Sequence, residues 1–376
     1  MDFNRYFASR RGELLNTLKK VVALESPTSD KRAVDACSGF VVAEFRKTGA
    51  RITRFAQKDI GDLHLIEYGP GALKSEPERI LVLTHIDTVW PVGKIGTMPY
   101  YVSGTKVFGP GALDMKAGVV MALFALSTLR QLSLGPQKRI AIFINSAEET
   151  GHDAAHAVIR DQARKSSLVL CLEPALPGGA LKLERKGRLV VRLEAGGKAA
   201  HAGSPEKGVN AVEELAAQIV RLKKIRTGEV TVNVGVCAGG EKANVVPDEA
   251  TALLDARFWR SADRERIKTY FRELQPVIKG AKIKAVLESQ TPPMEQTRAS
   301  LDLFGRASGI AAGLGQSLTG GKTGGGSDAS IASSLGIPTL DGLGPDGDGI
   351  HAEHEHVSIP SFVERTALLT ELLAKL

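Results

Sequence analysis

Three short apolar runs constrain this chain more than any other feature. Residues 80–84, 139–145 and 168–172 are nearly continuous in Ile, Leu, Val, Ala and Phe, and too short for helices of a buried layer. Strands of that kind are buried on both faces, as in a parallel sheet covered by helices. Each run passes directly into polar residues: Thr84-His85-Ile86-Asp87, Ser146-Ala147-Glu148-Glu149-Thr150-Gly151 and Glu173-Pro174. Helical patterns lie between the runs, and this repeated order of strand, polar residues and helix predicts an α/β domain. Its sheet is mainly parallel and flanked by helices, with ligands bound outside the carboxyl ends of the strands.

The polar residues at those ends are chemically selective. An extended backbone points residues i and i+2 to one side, so His85 and Asp87 can face one spot, with the Asp87 carboxylate holding the second imidazole nitrogen. Alone, such a pair is more often structural than metal-binding. Asp114 is expected to cap the apolar helix 115–132. Together His85, Asp114, Glu148, Glu149, Glu173 and His351 offer oxygen and nitrogen ligands with no thiolate, a set that suits Zn²⁺, with Co²⁺ or Mn²⁺ as substitutes. Two adjacent glutamates at a buried strand end are costly unless positive charge stands near them, and a metal pair would supply it.

The remaining chain divides in two. Residues 3–24 and 31–47 read as helices, and 52–55 and 63–68 as strands. Near Glu184 the pattern changes to the alternating Leu189, Val191 and Leu193, a loop at 196–203, and a helix over 209–225. Strands at 230–236 and 251–258, a helix at 262–274 and a strand at 282–287 follow, a βαββαβ-like order that suits a small two-layer α+β unit. The expected organisation is therefore a metal-binding domain of residues 1–183 and 293–376 with an insertion of residues 184–292.

Composition narrows the function. The 376 residues are 43% hydrophobic and 24% charged, in the range of soluble globular proteins. No apolar run approaches the roughly 18 residues of a membrane span, 117–126 being the longest candidate, so no membrane partner is expected. The first residues lack a signal peptide's apolar core, which makes a cytoplasmic location the default. Cys37, Cys171 and Cys237 form no CxxC pair and are expected as buried free thiols. The net charge is +7, but aromatics are only 5% and no basic run interleaves with them, which argues against nucleic acid. The excess concentrates in residues 184–288, with 20 Lys plus Arg against 14 Asp plus Glu. This would favour an anionic substrate, although a solvated basic face is the commoner meaning.

The segments THIDTVW, GPGALDMKAG, SAEETG, LEPA, GKAAHAG, ANVVPDEA, TGGGSDAS and GIHAEHEHV resemble a known family in order and over nearly the full chain. It is the di-zinc exopeptidase and deacylase family that includes glutamate carboxypeptidase, acetylornithine deacetylase, succinyl-diaminopimelate desuccinylase and aminoacylase. The resemblance implies two Zn²⁺ ions, with His85 on one ion, Asp87 as its orienter and Asp114 bridging both. Glu173 would complete the first site, Glu149 with His351 the second, and Glu148 would be the general base. His354 and His356 are expected at the surface. The insertion would be a lid or dimerisation domain forming a homodimer, in which His201 stabilises the oxyanion. Arg257 and Asn244 would hold the substrate carboxylate. Lys198, Lys322 and the backbone N–H groups around Gly325 are further anion-binding candidates.

The implied reaction is hydrolysis of an amide beside a free carboxylate in a small peptide or N-acyl amino acid, releasing a C-terminal amino acid, glutamate above others. An N-acyl amino-acid deacylase of the acetylornithine deacetylase or aminoacylase type uses the same ions and base. A non-catalytic metal-binding relative is the remote alternative, and the intact Glu148 argues against it.

Overall fold

The three apolar runs lie side by side in one six-stranded sheet of the computed structural model, which describes residues 1–69 and 79–376. The strand order is Arg51–Phe55, Leu63–Tyr68, Arg139–Asn145, Arg79–His85, Leu168–Cys171 and Thr339–Leu340. The last four are parallel, and Leu63–Tyr68 runs antiparallel to both of its neighbours, so the sheet is mixed. Register decides where the chemistry falls. His85 stands opposite Asn145, and Leu83 opposite Cys171, so all three runs reach their polar continuations at the same edge of the sheet.

This sheet belongs to a unit made of Met1–Leu183, Gln296–Lys322 and Ser327–Leu376. Helix Ala117–Gln131 packs against both the His85 strand and the long helix Ile359–Lys375. Being enclosed on all sides, it is apolar on all sides. With the preceding turn, Ala112–Gln131 spans 20 residues apolar enough to cross a membrane by length and composition, yet 94% of its most apolar window is buried in the fold. The sequence-based expectation that no stretch reaches such a length is thereby corrected, and burial makes this a core helix.

Two other boundaries differ from expectation. The single helix expected over 3–24 is two, Phe3–Ser9 and Arg11–Ala23, interrupted at Arg10, whose φ of −101° and ψ of 11° leave the helical range. The Arg10 carbonyl accepts from the N–H groups of Glu13 and Leu14 and so starts the second helix. Asp114 is not a helix cap. Its backbone is extended (φ −111°, ψ 99°), Met115 is also non-helical, and the regular helix starts at Ala117.

The second unit comprises Glu184–Glu295 and Thr323–Gly326. Its four-stranded antiparallel sheet has the order Thr231–Gly239, Glu249–Phe258, Gly187–Gly196 and Lys282–Thr291. Alternation sends Leu189, Val191, Leu193 and Ala195 into one apolar core with Leu215, Ile267 and Phe271 of helices Ala211–Arg221 and Ser261–Arg272. Within the stretch expected as a loop, Ala200–His201 forms a short strand paired with Val245–Val246. Cys37 and Cys171 are buried, but Cys237 is exposed, on an edge strand whose register shifts between Val234 and Val236 and whose residues 235–239 are exposed on both faces.

Candidate metal centre

His85 is the last residue of its strand and is fully buried. Its Nδ1 lies 3.0 Å from the backbone carbonyl oxygen of Asp87 and 3.5 Å from the Asp87 carboxylate. The nearer partner is thus the carbonyl rather than the expected carboxylate. A carbonyl only accepts, so this bond needs the proton on Nδ1 and leaves Nε2 as the ligating nitrogen. The Asp87 carboxylate has other work: it accepts the Thr28 hydroxyl at 2.7 Å and the N–H groups of Glu148 and Glu149 at 3.2 Å each. Asp87 therefore holds the turn that carries the two glutamates.

The two oxygens of Asp114 face two different histidines. Oδ1 is 3.1 Å from His85 Nε2, and Oδ2 is 3.3 Å from His351 Nε2. Glu173 lies 3.5 Å from His85 Nε2, and Glu149 lies 3.3 Å from His351 Nε2. His351 reaches this position from a tight turn, with φ of +60° following Gly349 at +81°. A Cβ on Gly349 would stand 2.7 Å from the Glu355 nitrogen, so only glycine fits there.

The protein's own charges strain this cluster. Burial would push His85 down, but Asp114, Asp87 and Glu173 outweigh it and push it well above the usual imidazole range. His351 is pushed up to about 10 by its contacts with Asp114 and Glu149. Burial and the charge of Glu173 push Glu148 well up, and burial likewise raises Glu149. Asp114, although burial raises it, is held well below the ordinary carboxylate range by His351 and His85.

The donor chemistry fits metal ions. Ligand atoms of His85, Glu148 and Glu173, and again of His85, Asp114 and Glu149, lie within 4.8 Å of one another. Imidazoles and carboxylates so close repel or compete for protons unless a cation accepts their lone pairs, and one carboxylate facing two histidines suits a pair of ions. Glu148 falls in the first set, so proximity alone leaves both a ligand and a base within its reach.

Two buried acids beside the cluster were not singled out by sequence patterns. Asp328 accepts from Asn145 Nδ2 at 2.7 Å, and burial pushes it up to about 7. Asn145 in turn accepts the Ala147 N–H at 3.0 Å, just before Glu148. Glu355 accepts four N–H groups and is raised by burial. Both acids stand inside recognised segments, TGGGSDAS and GIHAEHEHV, but nothing in a one-dimensional pattern tells a ligand from its support. His354 is exposed, whereas His356, expected at the surface, is buried. It opens a strand paired with Lys106–Phe108 and packs 5.1 Å from the Phe108 ring.

The second unit holds the other candidates. His201 is exposed, with Nδ1 accepting the Gly203 N–H at 3.0 Å, and Asn244 is its neighbour, its carbonyl accepting the Ala202 N–H at 3.0 Å. Lys198 is exposed. Arg257 is anchored by Asp255 at 2.7 Å and donates to the Gly324 carbonyl at 3.3 Å. Arg185, for which the sequence carried no signal, donates to the carbonyls of Gly325 and Gly326 at 3.2 and 2.8 Å. Lys322 belongs to the first unit and is exposed.

Comparison with known proteins bears on the whole chain. Residues 81–375 match the family described as peptidase family M20/M25/M40. Carboxypeptidase G2 of Pseudomonas sp. is 29% identical over 372 residues, which cover 96% of this chain and 89% of that protein. The structure of the aminopeptidase PepT of Bacillus cereus superposes with a TM-score of 0.79 at 21% identity, over 97% of this chain and 98% of that one. A Bacillus subtilis protein described as a dinuclear metal-binding peptidase superposes with a TM-score of 0.73 at 14% identity, over 98% of both chains.

Proposed function

The chain belongs to peptidase family M20/M25/M40, and from that premise we propose that it hydrolyses an amide bond beside a free carboxylate, releasing a C-terminal amino acid, glutamate above others. The observation that carries this reading is the placement of the two Asp114 oxygens at 3.1 and 3.3 Å from two different imidazoles, with Glu148 within reach of the same cluster. Two Zn²⁺ ions, replaceable by Co²⁺ or Mn²⁺, would be held by His85, Asp114 and Glu173 on one side and by Asp114, Glu149 and His351 on the other. When bound, such ions polarise the scissile carbonyl and make water more acidic.

The chain's own residues supply the proton path. Glu148 takes a proton from the attacking water as the oxygen bonds to the carbonyl carbon, and delivers it to the amine nitrogen as the C–N bond breaks. Asp87 fixes the glutamate's backbone by accepting its N–H. His201 donates to the developing oxyanion. Arg257, Asn244, Lys198, Lys322 and the Gly325 backbone N–H bind the substrate's carboxylate, which the basic surplus of residues 184–288 also favours. The second unit acts as lid and as the interface of a homodimer, and the protein works in the cytoplasm. Similarity over most of the chain to a protein named a carboxypeptidase supports cleavage at the C-terminal residue.

The test is an assay of the zinc-restored protein on N-blocked amino acids and dipeptides in which the acyl group and the terminal residue vary independently. Release of glutamate faster than of neutral or basic residues is expected. A rate set by the acyl group and indifferent to the terminal residue would make the protein a deacylase. Bound ions with no turnover on any member would make it a non-catalytic relative.

A further inference from the structure

The His351 loop carries a second acid whose use is not explained by ligation. Glu355 is 1% exposed, and its carboxylate accepts from four N–H donors. Oε1 accepts from Leu113 at 2.8 Å and Asp114 at 3.1 Å, and Oε2 accepts from Gly111 at 2.9 Å and the Trp90 indole at 3.0 Å. A loop that has left helical geometry cannot satisfy these three backbone groups itself, and a buried N–H without a partner is costly. Glu355 therefore defines the path of the turn that delivers Asp114.

Its placement follows from strand register. His356 pairs with Phe108 in an antiparallel ladder, so Glu355 and Gly109 leave that ladder at the same end, and the Gly109 N–H meets the Glu355 carbonyl at 3.5 Å. From there one chain runs to Asp114 and the other back to His351. The approach is close on both sides. A Cβ on Gly111 would stand 2.4 Å from Thr88 Cγ2, and one on Gly347 would stand 2.1 Å from the His356 carbonyl oxygen.

We propose that Glu355 is a positioning residue for the metal centre: by gripping the Gly111–Asp114 backbone from the His351 loop, it sets the separation of Asp114 from His351 and holds both for the ions. This rests on the di-metal reading above. It differs from a packing role, because it couples two ligands through one carboxylate. Glutamine is the informative substitute. It keeps one acceptor oxygen but turns an NH₂ group toward two of the four donors, breaking half of the grip with little change in volume.

The experiment is a Co²⁺ titration of the metal-stripped protein, followed by visible absorption and by metal analysis after gel filtration, with urea unfolding measured in parallel in EDTA. Wild-type protein is expected to take up two equivalents, and Glu355→Gln to bind at least one of them about 10–100-fold more weakly. A cooperative urea transition shows that the variant is folded. Two equivalents bound by Glu355→Gln with wild-type affinity, even with a lowered urea midpoint, would overturn the proposal and leave Glu355 a packing residue. Fewer than two equivalents in the wild type would instead overturn the di-metal reading. Should Glu355→Gln not fold, Trp90→Phe removes one donor only. It is expected to weaken Co²⁺ binding by ~2–10-fold, and wild-type affinity in that variant would equally overturn the proposal.

Discussion

The metal centre of the first unit and the anion-binding candidates of the second are built on opposite physical plans. His85, Asp114 and Glu173 are buried, at strand ends or on loops clamped by Asp87 and Glu355, and each ligand atom already faces another. His201, Asn244, Lys198 and Gly325 are exposed, and His201 is tied only locally, by the 3.0 Å bond from the Gly203 N–H, while the Asn244 carbonyl accepts the Ala202 N–H beside it. A site proposed to hold ions is finished by the fold here, whereas the groups proposed to meet a substrate are left open to solvent. Removal of a group from the first region should abolish chemistry or metal binding outright, while changes in the second should alter rate or substrate affinity and leave the ions in place.

The largest expected effect is that of Glu148→Gln. As the acid–base group it should cost ~10²–10⁴-fold in kcat, with metal content by mass spectrometry unchanged. Loss of an ion in this variant would reassign Glu148 as a ligand, a role that its position near His85 and Glu173 also allows. Next comes His201→Ala, expected to lower kcat by ~10²–10³-fold through loss of the oxyanion donor, with KM and metal content little changed. A normal kcat would remove His201 from the mechanism. Arg257→Lys is milder, since the charge remains and only the planar fork is lost. A KM for N-acyl-glutamate raised about tenfold with kcat preserved is expected, and an unchanged KM would show that Asp255 and the Gly324 carbonyl use up the guanidinium.

The same contrast explains what could be read in one dimension. The buried strands were legible because burial on both faces forces continuous apolar runs, and the ligands because a parallel sheet delivers its polar residues at one edge. His356 escaped because a pattern of alternating histidines and glutamates does not reveal that a ladder with Phe108 buries one of them. Asp114 was misread as a helix cap because an aspartate before an apolar helix looks the same whether its carboxylate turns back to the helix or out to two histidines. Glu355, Asp328 and Arg185 were illegible for a common reason: each acts on backbone or side chains that only the folded chain brings near. The exposure of Cys237 shows the same limit, since which end of a strand the packed helices leave uncovered is not written in the strand itself.

The smallest effect sharpens the contrast through stability. Asp62 in the first unit and Asp255 in the second are both carboxylates between two cations, but they differ in burial, with side chains 5% and 26% exposed. Burial works against Asp62. It is outweighed by Lys31 at 2.9 Å, the Gln57 N–H at 2.9 Å and Arg54, which together bring its pKa down to about 2. A carboxylate held below its unfolded value of about 3.9 contributes stability above that pH and loses it as pH falls through the folded value. The shift corresponds to about 1–2 kcal/mol once solvent around the partly exposed Lys31 and Arg54 is allowed for. Asp62→Asn should therefore lower the urea stability of the protein by that amount at pH 7, and its gap from wild type should close as pH falls through the window between those two values. Asp255 is also held down, against burial, by Arg257 and Arg188. Its greater exposure predicts a smaller gap for Asp255→Asn at pH 7, closing in the same direction. A gap for Asp255→Asn as large as that for Asp62→Asn, or one that widened in acid for either, would mean that burial does not set the strength of these pairs.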